Sequence, residues 1–88
     1  MDFELASARL KAMGHPTRLR ILELLKRSGC CVSEIEQRLE LRQSNVSQHL
    51  RVLRDCGLVS VSREGQTVCY RLNEPLVSPL LASLEELS

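Results

Sequence analysis

VSEIEQRLELRQSNVSQHLRVLRDCGL, residues 32–58, predicts two short helices joined by a tight turn. In the first helix, Ser33 and Glu36 fit the S-x-x-E pattern of a capping box, which satisfies backbone N–H groups at a helix start. Ile35 and Leu39 recur at a spacing of four, as apolar residues do along one side of a helix. The stretch therefore begins with a short amphipathic helix.

The second helix, predicted over residues 44–56, separates apolar from polar side chains. Val46, Leu50 and Leu53 fall on one stripe, and Gly57 provides a stop signal. The opposite side carries Ser44, Ser47, Gln48 and Arg51. Such side chains hydrogen-bond to base edges and phosphates, which suits a helix lying in a major groove. The pattern is typical of a DNA-binding helix-turn-helix, and an ordinary solvated face is the alternative reading.

The residues after the second helix predict a β-hairpin. Residues 59–62 and 67–72 alternate apolar and polar side chains as strands do, and residues 63–66 form a loop that contains glycine. A helix-turn-helix followed by a hairpin is a winged helix, so we predict a mainly α fold with a small β-hairpin wing. Arg63 and Arg71 are the wing residues expected to contact the phosphate backbone or the neighbouring minor groove.

Three separated segments carry a family resemblance: LKAMGHPTRLRILELL (10–25), SEIEQRLELRQSNVSQHLRVLRDCGLV (33–59) and SREGQTVCYRL (62–72). The middle segment matches the signature Q-S-x-V-S-x-H-L-x-x-L-x-x-x-G-L-V almost position by position. In these motifs and their order the chain resembles the ArsR/SmtB family, small dimeric winged-helix repressors that respond to arsenic, metals and sulfur species. The resemblance covers nearly the whole chain and implies a homodimer that binds double-stranded operator DNA.

The resemblance also assigns the recognition-helix positions. They are Gln43, Ser44, Asn45, Ser47, Gln48, His49 and Arg51. One departure is Arg42, which stands where a small capping residue is common in the family, so we expect a shifted or less well capped helix start.

The size of the chain favours association. Its 88 residues predict a single domain, residues 1–88, and 43% hydrophobic residues with one Phe, one Tyr and no Trp predict a small aliphatic core. Both terminal segments have the spacing of amphipathic helices. Their apolar residues are Phe3, Leu5, Ala6, Ala8, Leu10 and Met13, and Leu76, Leu80, Leu81, Leu84 and Leu87. We expect these helices to form a two-fold homodimer, with packing onto the monomer's own core as the alternative.

Charge is distributed unevenly although the net charge is only +1. Residues 42–71 carry +3 and residues 72–88 carry −3, so the positive charge lies where DNA would bind. No targeting segment is recognisable, and no apolar run approaches the roughly 20 residues that span a bilayer. The sequence therefore predicts a cytoplasmic protein without a membrane partner.

The sequence contains four cysteines. In a reducing compartment they are expected to be buried thiols, metal ligands or redox sensors rather than structural disulfides. Cys30 and Cys31 precede the helix-turn-helix, in a stretch that can form a short strand against the wing. Cys69 alternates with its strand neighbours and is expected on the other, partly exposed face. Cys56 lies beside the apolar stripe, where a packing role is expected.

The resemblance gives the cysteines a possible role. Metal-responding and arsenic-responding members of the family carry a C-x-C pair at the start of this helix. In this chain Cys31 matches the first cysteine of that pair and Ser33 stands at the position of the second. Cys30 stands where the family has an apolar residue. We therefore predict a thiol sensor at Cys30 and Cys31 that takes As(III), Cd or Zn as inducer, with no obligatory cofactor. Cys69 is the expected third ligand, and Cys56 is the second choice.

The sequence is also compatible with other roles of the cysteines and of the fold. A thiol-redox sensor would link Cys30 or Cys31 to Cys69 if the Cα atoms lie within about 7 Å. The cysteines could also have no sensing role, and a winged helix can serve as a protein-interaction module. The polar face argues against that module, because partner-binding helices usually expose aromatic or aliphatic anchors. An enzyme is not expected, because the sequence offers no recognisable nucleophile–base set, carboxylate pair or phosphate-binding glycine loop.

Overall fold

The computed structural model describes residues 1–28 and 30–88, and the side chain of Cys30 lies outside the description. The described residues form five helices and three short strands. In chain order they are α1 (Phe3–Met13), α2 (Pro16–Arg27), β1 (Cys30–Cys31), α3 (Val32–Leu39), α4 (Gln43–Asp55), β2 (Val59–Glu64), β3 (Thr67–Leu72) and α5 (Glu74–Leu87). Helices α3 and α4 are the two predicted helices of residues 32–58, and β2 and β3 are the predicted wing.

The sheet has the strand order β1-β3-β2, and both pairings are antiparallel. The wing register runs from Val59 opposite Leu72 to Glu64 opposite Thr67. Strand β2 thus extends two residues beyond the prediction, and Arg63 lies in the strand rather than in a four-residue loop. The turn is shorter because Gly65 adopts a positive φ of 64°, which permits a tight two-residue connection.

The start of α3 differs from the prediction. Helix α3 begins at Val32 with Cys31 as its N-cap, so Ser33 lies inside the first turn and is not the cap residue. The predicted capping box is therefore wrong, and the Ser33 hydroxyl instead lies 3.1 Å from the Cys31 Sγ atom. Helix α4 has Arg42 as its N-cap without a side-chain capping bond among the described residues, which agrees with the expected weaker cap.

The core is aliphatic, as composition predicted. Val46, Leu50 and Leu53 of α4 have no exposed surface. Around them pack the other fully buried side chains, Ile21, Leu22, Ile35, Leu58 and Val77. Burying each such side chain contributes on the order of 1.5–3 kcal/mol, so this cluster fixes which side of α4 faces inward. No helix within the described residues is long and apolar enough to cross a membrane.

The turn between α3 and α4 contains an unusual backbone conformation. Glu40 ends α3 with φ 54° and ψ 47°, a left-handed conformation in which Cβ crowds the following carbonyl. The N–H groups of Glu40 and Leu41 both donate to the carbonyl of Glu36, which closes the end of the helix. The fold thus places a non-glycine residue at a position that glycine adopts more easily.

Replacing this residue with glycine should stabilise the protein. We expect Glu40→Gly to raise the free energy of unfolding by about 1 kcal/mol, because glycine has no Cβ to crowd in the left-handed region. Glu36→Gly is the matched control: the same exchange inside α3 should cost about 1 kcal/mol. Urea unfolding of both variants measures the change. A lower stability for Glu40→Gly would contradict the interpretation.

Candidate nucleic-acid interface and cysteine pair

Helix α4 presents a polar face to solvent. Its apolar stripe is buried, so the remaining side chains project outward, and those of Gln43, Ser44, Asn45, Ser47, Gln48 and Arg51 are exposed. The structure therefore brings six of the seven predicted recognition-helix residues to one accessible side of the helix. Amide, hydroxyl and guanidinium groups on this side can donate to and accept from base edges and phosphates.

A groove runs between α4 and β3. Its lining residues are Ser44, Ser47, Gln48, Arg51, Arg54 and Tyr70. Sequence reasoning did not assign the last two residues to the site. Arg54 follows Ser47 by seven residues, about two helical turns, so helical spacing could have found it. Tyr70 lies on β3, and only the packing of the wing against α4 brings it there.

His49 is the recognition-helix residue that the structure places differently. It is half-buried, and its Nδ1 atom accepts a hydrogen bond of 3.2 Å from the Nε atom of Arg18 in α2. Its ring centroid lies 4.7 Å from that of His15, which caps α2 through a 3.1 Å bond from the Thr17 N–H to its Nδ1 atom. His49 thus connects α4 to the start of α2.

The C-terminal end of α4 is held by two side chains from elsewhere in the fold. The Arg9 Nε atom of α1 donates to the carbonyl of Cys56 at 2.9 Å, and the Asn73 Nδ2 atom donates to the carbonyl of Gly57 at 2.9 Å. A cation at this end of a helix also interacts favourably with the helix dipole. Together with the Arg18 contact, these bonds fix α4 at its middle and at its end.

The environment of His49 makes it sensitive to pH. Burial lowers the pKa of His49, and the positive charges of His15 and Arg18 lower it further. A histidine whose folded-state pKa lies below its unfolded value of about 6.5 binds fewer protons in the native state. Its contribution to stability is therefore present above about pH 6.5 and is lost as the pH falls through the folded-state pKa.

Stability should consequently fall between about pH 7 and pH 5 through protonation of His49. We expect His49→Gln to reduce this fall, because glutamine cannot be protonated and still offers an acceptor to Arg18. Urea unfolding midpoints of the parent and the variant, measured at several pH values in this range, provide the test. Parallel profiles for the two proteins would show that His49 does not cause the loss.

The two wing arginines have different surroundings. Arg63 is exposed on β2. The Arg71 guanidinium lies 3.6 Å from the Glu64 carboxylate, and the side chains of this pair are 66% and 65% exposed. An ion pair this exposed contributes little to stability, so Arg71 can exchange the carboxylate for a phosphate at small cost.

The cysteines are divided between two places. Cys31 of β1 lies directly opposite Cys69 of β3, whereas Cys30 lies opposite Tyr70. The Cys69 Sγ atom is 4.0 Å from the Glu64 carboxylate. Cys56 lies elsewhere, at the end of α4, with its Sγ atom 3.8 Å from the carbonyl of Ala8 in α1. The predicted short strand is confirmed, and of the three described thiols it brings Cys31 and Cys69 together.

The surroundings of Cys31 favour its thiolate form. The Ser33 hydroxyl and, second, the backbone N–H of Glu34 lower the pKa of the Cys31 thiol, against smaller opposing effects of burial and of the Glu34 carboxylate. Both donors belong to the first turn of α3, because Cys31 is the N-cap of that helix. A thiolate at a helix start is stabilised in the same way in reactive cysteines generally.

The predicted metal site needs at least one more ligand than this pair. Among the described residues, no three His, Cys, Asp or Glu side chains lie close enough to hold a metal ion. Cys69, the predicted third ligand, lies opposite Cys31, while Cys56, the second choice, contacts α1 instead. The sensor role predicted for the side chain of Cys30 falls outside the described residues.

The terminal helices leave apolar surface uncovered. Phe3, Leu10, Leu84 and Leu87 are 78%, 61%, 51% and 87% exposed. A shallow groove between α1 and α5 is lined almost entirely by apolar side chains, with Leu10, Met13, Leu19, Leu80, Leu84 and Leu87 among them. We call this the α1/α5 surface. Only Ala12, Met13, Val77 and Leu81 of these two helices are buried.

The sequences to which this chain is similar belong to bacterial regulatory proteins. The profile of the family described as bacterial regulatory protein, arsR family, matches residues 15–61. The transcriptional activator HlyU of Vibrio cholerae is 45% identical over 78 residues, which cover 89% of this chain and 72% of that protein. The biofilm growth-associated repressor of Agrobacterium fabrum is 39% identical over 75 residues, covering 85% of this chain and 64% of that protein.

Known structures confirm the predicted fold class. HlyU from Vibrio cholerae superimposes with a TM-score of 0.89 at 42% identity, covering 99% of this chain and 97% of that one. A second match is the homodimeric winged helix-turn-helix DNA-binding domain of a possible ArsR-family transcriptional regulator from Mycobacterium bovis. Its TM-score is 0.90 at 28% identity, covering 97% of this chain and 79% of that one.

Proposed function

The chain belongs to the ArsR family of bacterial regulatory proteins, and we propose that it is a homodimeric repressor that places α4 in the major groove of its operator DNA. Its relatives are DNA-binding transcriptional regulators rather than enzymes, as the sequence predicted. The observation that carries the proposal is the one-sided polar face of α4, exposed above a fully buried apolar stripe. A repressor needs no further machinery, because occupancy of the operator by the dimer suffices.

Charge and shape support DNA as the ligand of this face. Arg51 and Arg54 line the groove beside α4, and Arg63 is exposed on the wing that follows. Phosphate contacts from such arginines set position and affinity, while the side chains of Gln48 and Arg51 are of the types that pair with base edges. A protein-interaction module would require apolar anchors on this face, and the groove residues are mostly polar.

Alanine at the recognition face should weaken DNA binding without disturbing the fold. We expect Gln48→Ala and Arg51→Ala each to cost about 1–3 kcal/mol of binding free energy, roughly tenfold in affinity or more. Arg20→Ala is the matched control, because Arg20 is an exposed arginine of α2 outside the groove. Fluorescence anisotropy with the chain's own upstream DNA at several salt concentrations measures the effect. Unchanged affinity in both α4 variants would refute the assignment of this face.

The proposed dimer uses the α1/α5 surface. An 88-residue chain that leaves four large apolar side chains of its terminal helices half or more exposed gains from burying them against a second copy. The Mycobacterium bovis neighbour is described as homodimeric, which supports a homodimer here. A two-fold dimer would present two α4 helices to half-sites about 34 Å apart on DNA.

A charge on the α1/α5 surface should separate the copies. We expect Leu84→Glu to shift the chain from dimer to monomer at micromolar concentration, because a buried carboxylate at the contact has no partner. Val61→Glu is the matched control, an aliphatic residue 39% exposed on the wing and away from this surface. Light scattering after size-exclusion chromatography reports the mass. A dimeric Leu84→Glu variant would place the contact elsewhere.

We propose in addition that a thiol-reactive inducer releases the DNA through the Cys31 region. As(III), Cd or Zn remains the proposed inducer class on the family resemblance, and a thiol oxidant is the alternative. The alternative is supported by the strand register, in which Cys31 and Cys69 are direct partners. Release would be a population shift, in which the modified dimer favours a helix arrangement that no longer matches successive major grooves.

A further inference from the structure

We propose that Cys31 and Cys69 form a reversible cross-strand redox pair, which a peroxide closes into a disulfide between β1 and the wing. The proposal rests on the antiparallel register, in which these two residues are direct partners. The disulfide would control DNA binding by the proposed repressor, so this regulatory role rests on the proposed function. The bond itself can be tested without DNA.

The register brings Cys31 and Cys69 within the range of a disulfide. Residues directly opposite in an antiparallel pair have Cα atoms about 4.5–5.5 Å apart and side chains on the same face of the sheet. Disulfides form at Cα separations of about 4.4–6.8 Å with the two Cβ atoms about 3.5–4.5 Å apart, so closing the bond needs a small approach of β1 toward β3. Cys30 is paired with Tyr70 and Cys56 contacts α1, so neither has a cysteine as its direct partner.

Both thiols are partly accessible, and their contacts are with exposed side chains. Cys31 and Cys69 are free thiols of intermediate exposure. The Cys31 Sγ atom contacts the Ser33 hydroxyl at 3.1 Å, and the Cys69 Sγ atom lies 4.0 Å from the Glu64 carboxylate. Each contact is to an exposed side chain, so rotation of the two side chains toward each other breaks no buried interaction. Accessible disulfides of this kind are the readily reduced, regulatory ones.

The reaction balances with hydrogen peroxide as the oxidant. The Cys31 thiolate attacks one peroxide oxygen, the O–O bond breaks, and Cys31 becomes a sulfenic acid while hydroxide leaves and takes up a proton to give water. The Cys69 sulfur then attacks the Cys31 sulfur, the S–O bond breaks, and a second water is released after proton transfer from the Cys69 thiol. Two thiols lose two electrons, and one peroxide gains them.

The bond would join the wing to the helix that packs against α4. Cys31 is the N-cap of α3, and α3 packs against α4, whereas Cys69 belongs to the wing strand that also lines the groove beside α4. Closing the disulfide turns the Cys31 sulfur away from the first turn of α3 and ties that turn to the wing. The approach of β1 toward β3 shifts α3, and with it α4, relative to the wing. Because α4 and the wing then no longer fit the operator together, operator affinity falls.

Mass spectrometry of the full-length protein tests the bond. After treatment with a slight excess of hydrogen peroxide, we expect a linked pair of peptides containing Cys31 and Cys69 that lacks two hydrogen atoms and separates with dithiothreitol. Cys30→Ser and Cys56→Ser should form the same link. Cys31→Ser and Cys69→Ser should not, and circular dichroism confirms that both variants are folded. A link through Cys30, a link between two chains, or oxidation without any link would overturn the proposal.

Anisotropy with the chain's own upstream DNA tests the regulatory consequence. We expect peroxide to weaken binding by about tenfold, dithiothreitol to restore it, and Cys69→Ser to be unresponsive. Equal affinity of the linked and reduced forms would overturn the regulatory role. If the reduced protein binds no DNA at all, the proposed function fails instead, and the mass spectra still decide whether the pair closes.

Discussion

Burial of one stripe of α4 is the constraint on which the rest of the structure depends. Val46, Leu50 and Leu53 have no exposed surface, and exposing them would cost several kcal/mol. That cost fixes the rotation of α4 about its axis, and the rotation in turn decides which polar side chains face outward. The buried stripe and the polar face proposed to contact DNA are thus opposite sides of the same helix. Arg18 and Arg9, which bond to α4 from α2 and α1, add orientation to what burial already sets.

Local patterns in the sequence were enough to predict this helix and the wing. Helical spacing identified the buried stripe, and alternation identified both wing strands with their first residues correct. The predictions were wrong at the start of α3 and at the hairpin turn, where two local conformations fit the sequence equally well. Ser33 and Cys31 are two residues apart and both can precede a helix, and the hairpin turn could be two or four residues long. Periodicity does not separate such cases, because the flanking side chains face the same way in both.

Features that depend on contacts between distant segments could not be predicted from the sequence. Tyr70 reaches the groove only because β3 packs near α4, and the inward contact of His49 depends on Arg18, which lies 31 residues earlier. The cysteines illustrate the same limit. Sequence reasoning placed a short strand near the wing, but its register decides which of two adjacent cysteines is opposite Cys69. A shift by one residue would exchange their faces, so the chemistry of this region is a property of strand pairing.

The wing differs from the core in how freely it can change. Only Val59 of β2 is buried, and a Cβ placed on Gly65 would meet nothing within 4 Å. Residues 60–67 around the turn are exposed and touch little that the fold requires, so replacing them costs little stability, whereas Leu72 is buried and Tyr70 packs against the core. The turn region can therefore accept new side chains, while the fully buried stripe of α4 cannot. The tip of the wing is therefore the part of the molecule whose surface contacts can change without passing through unstable intermediates.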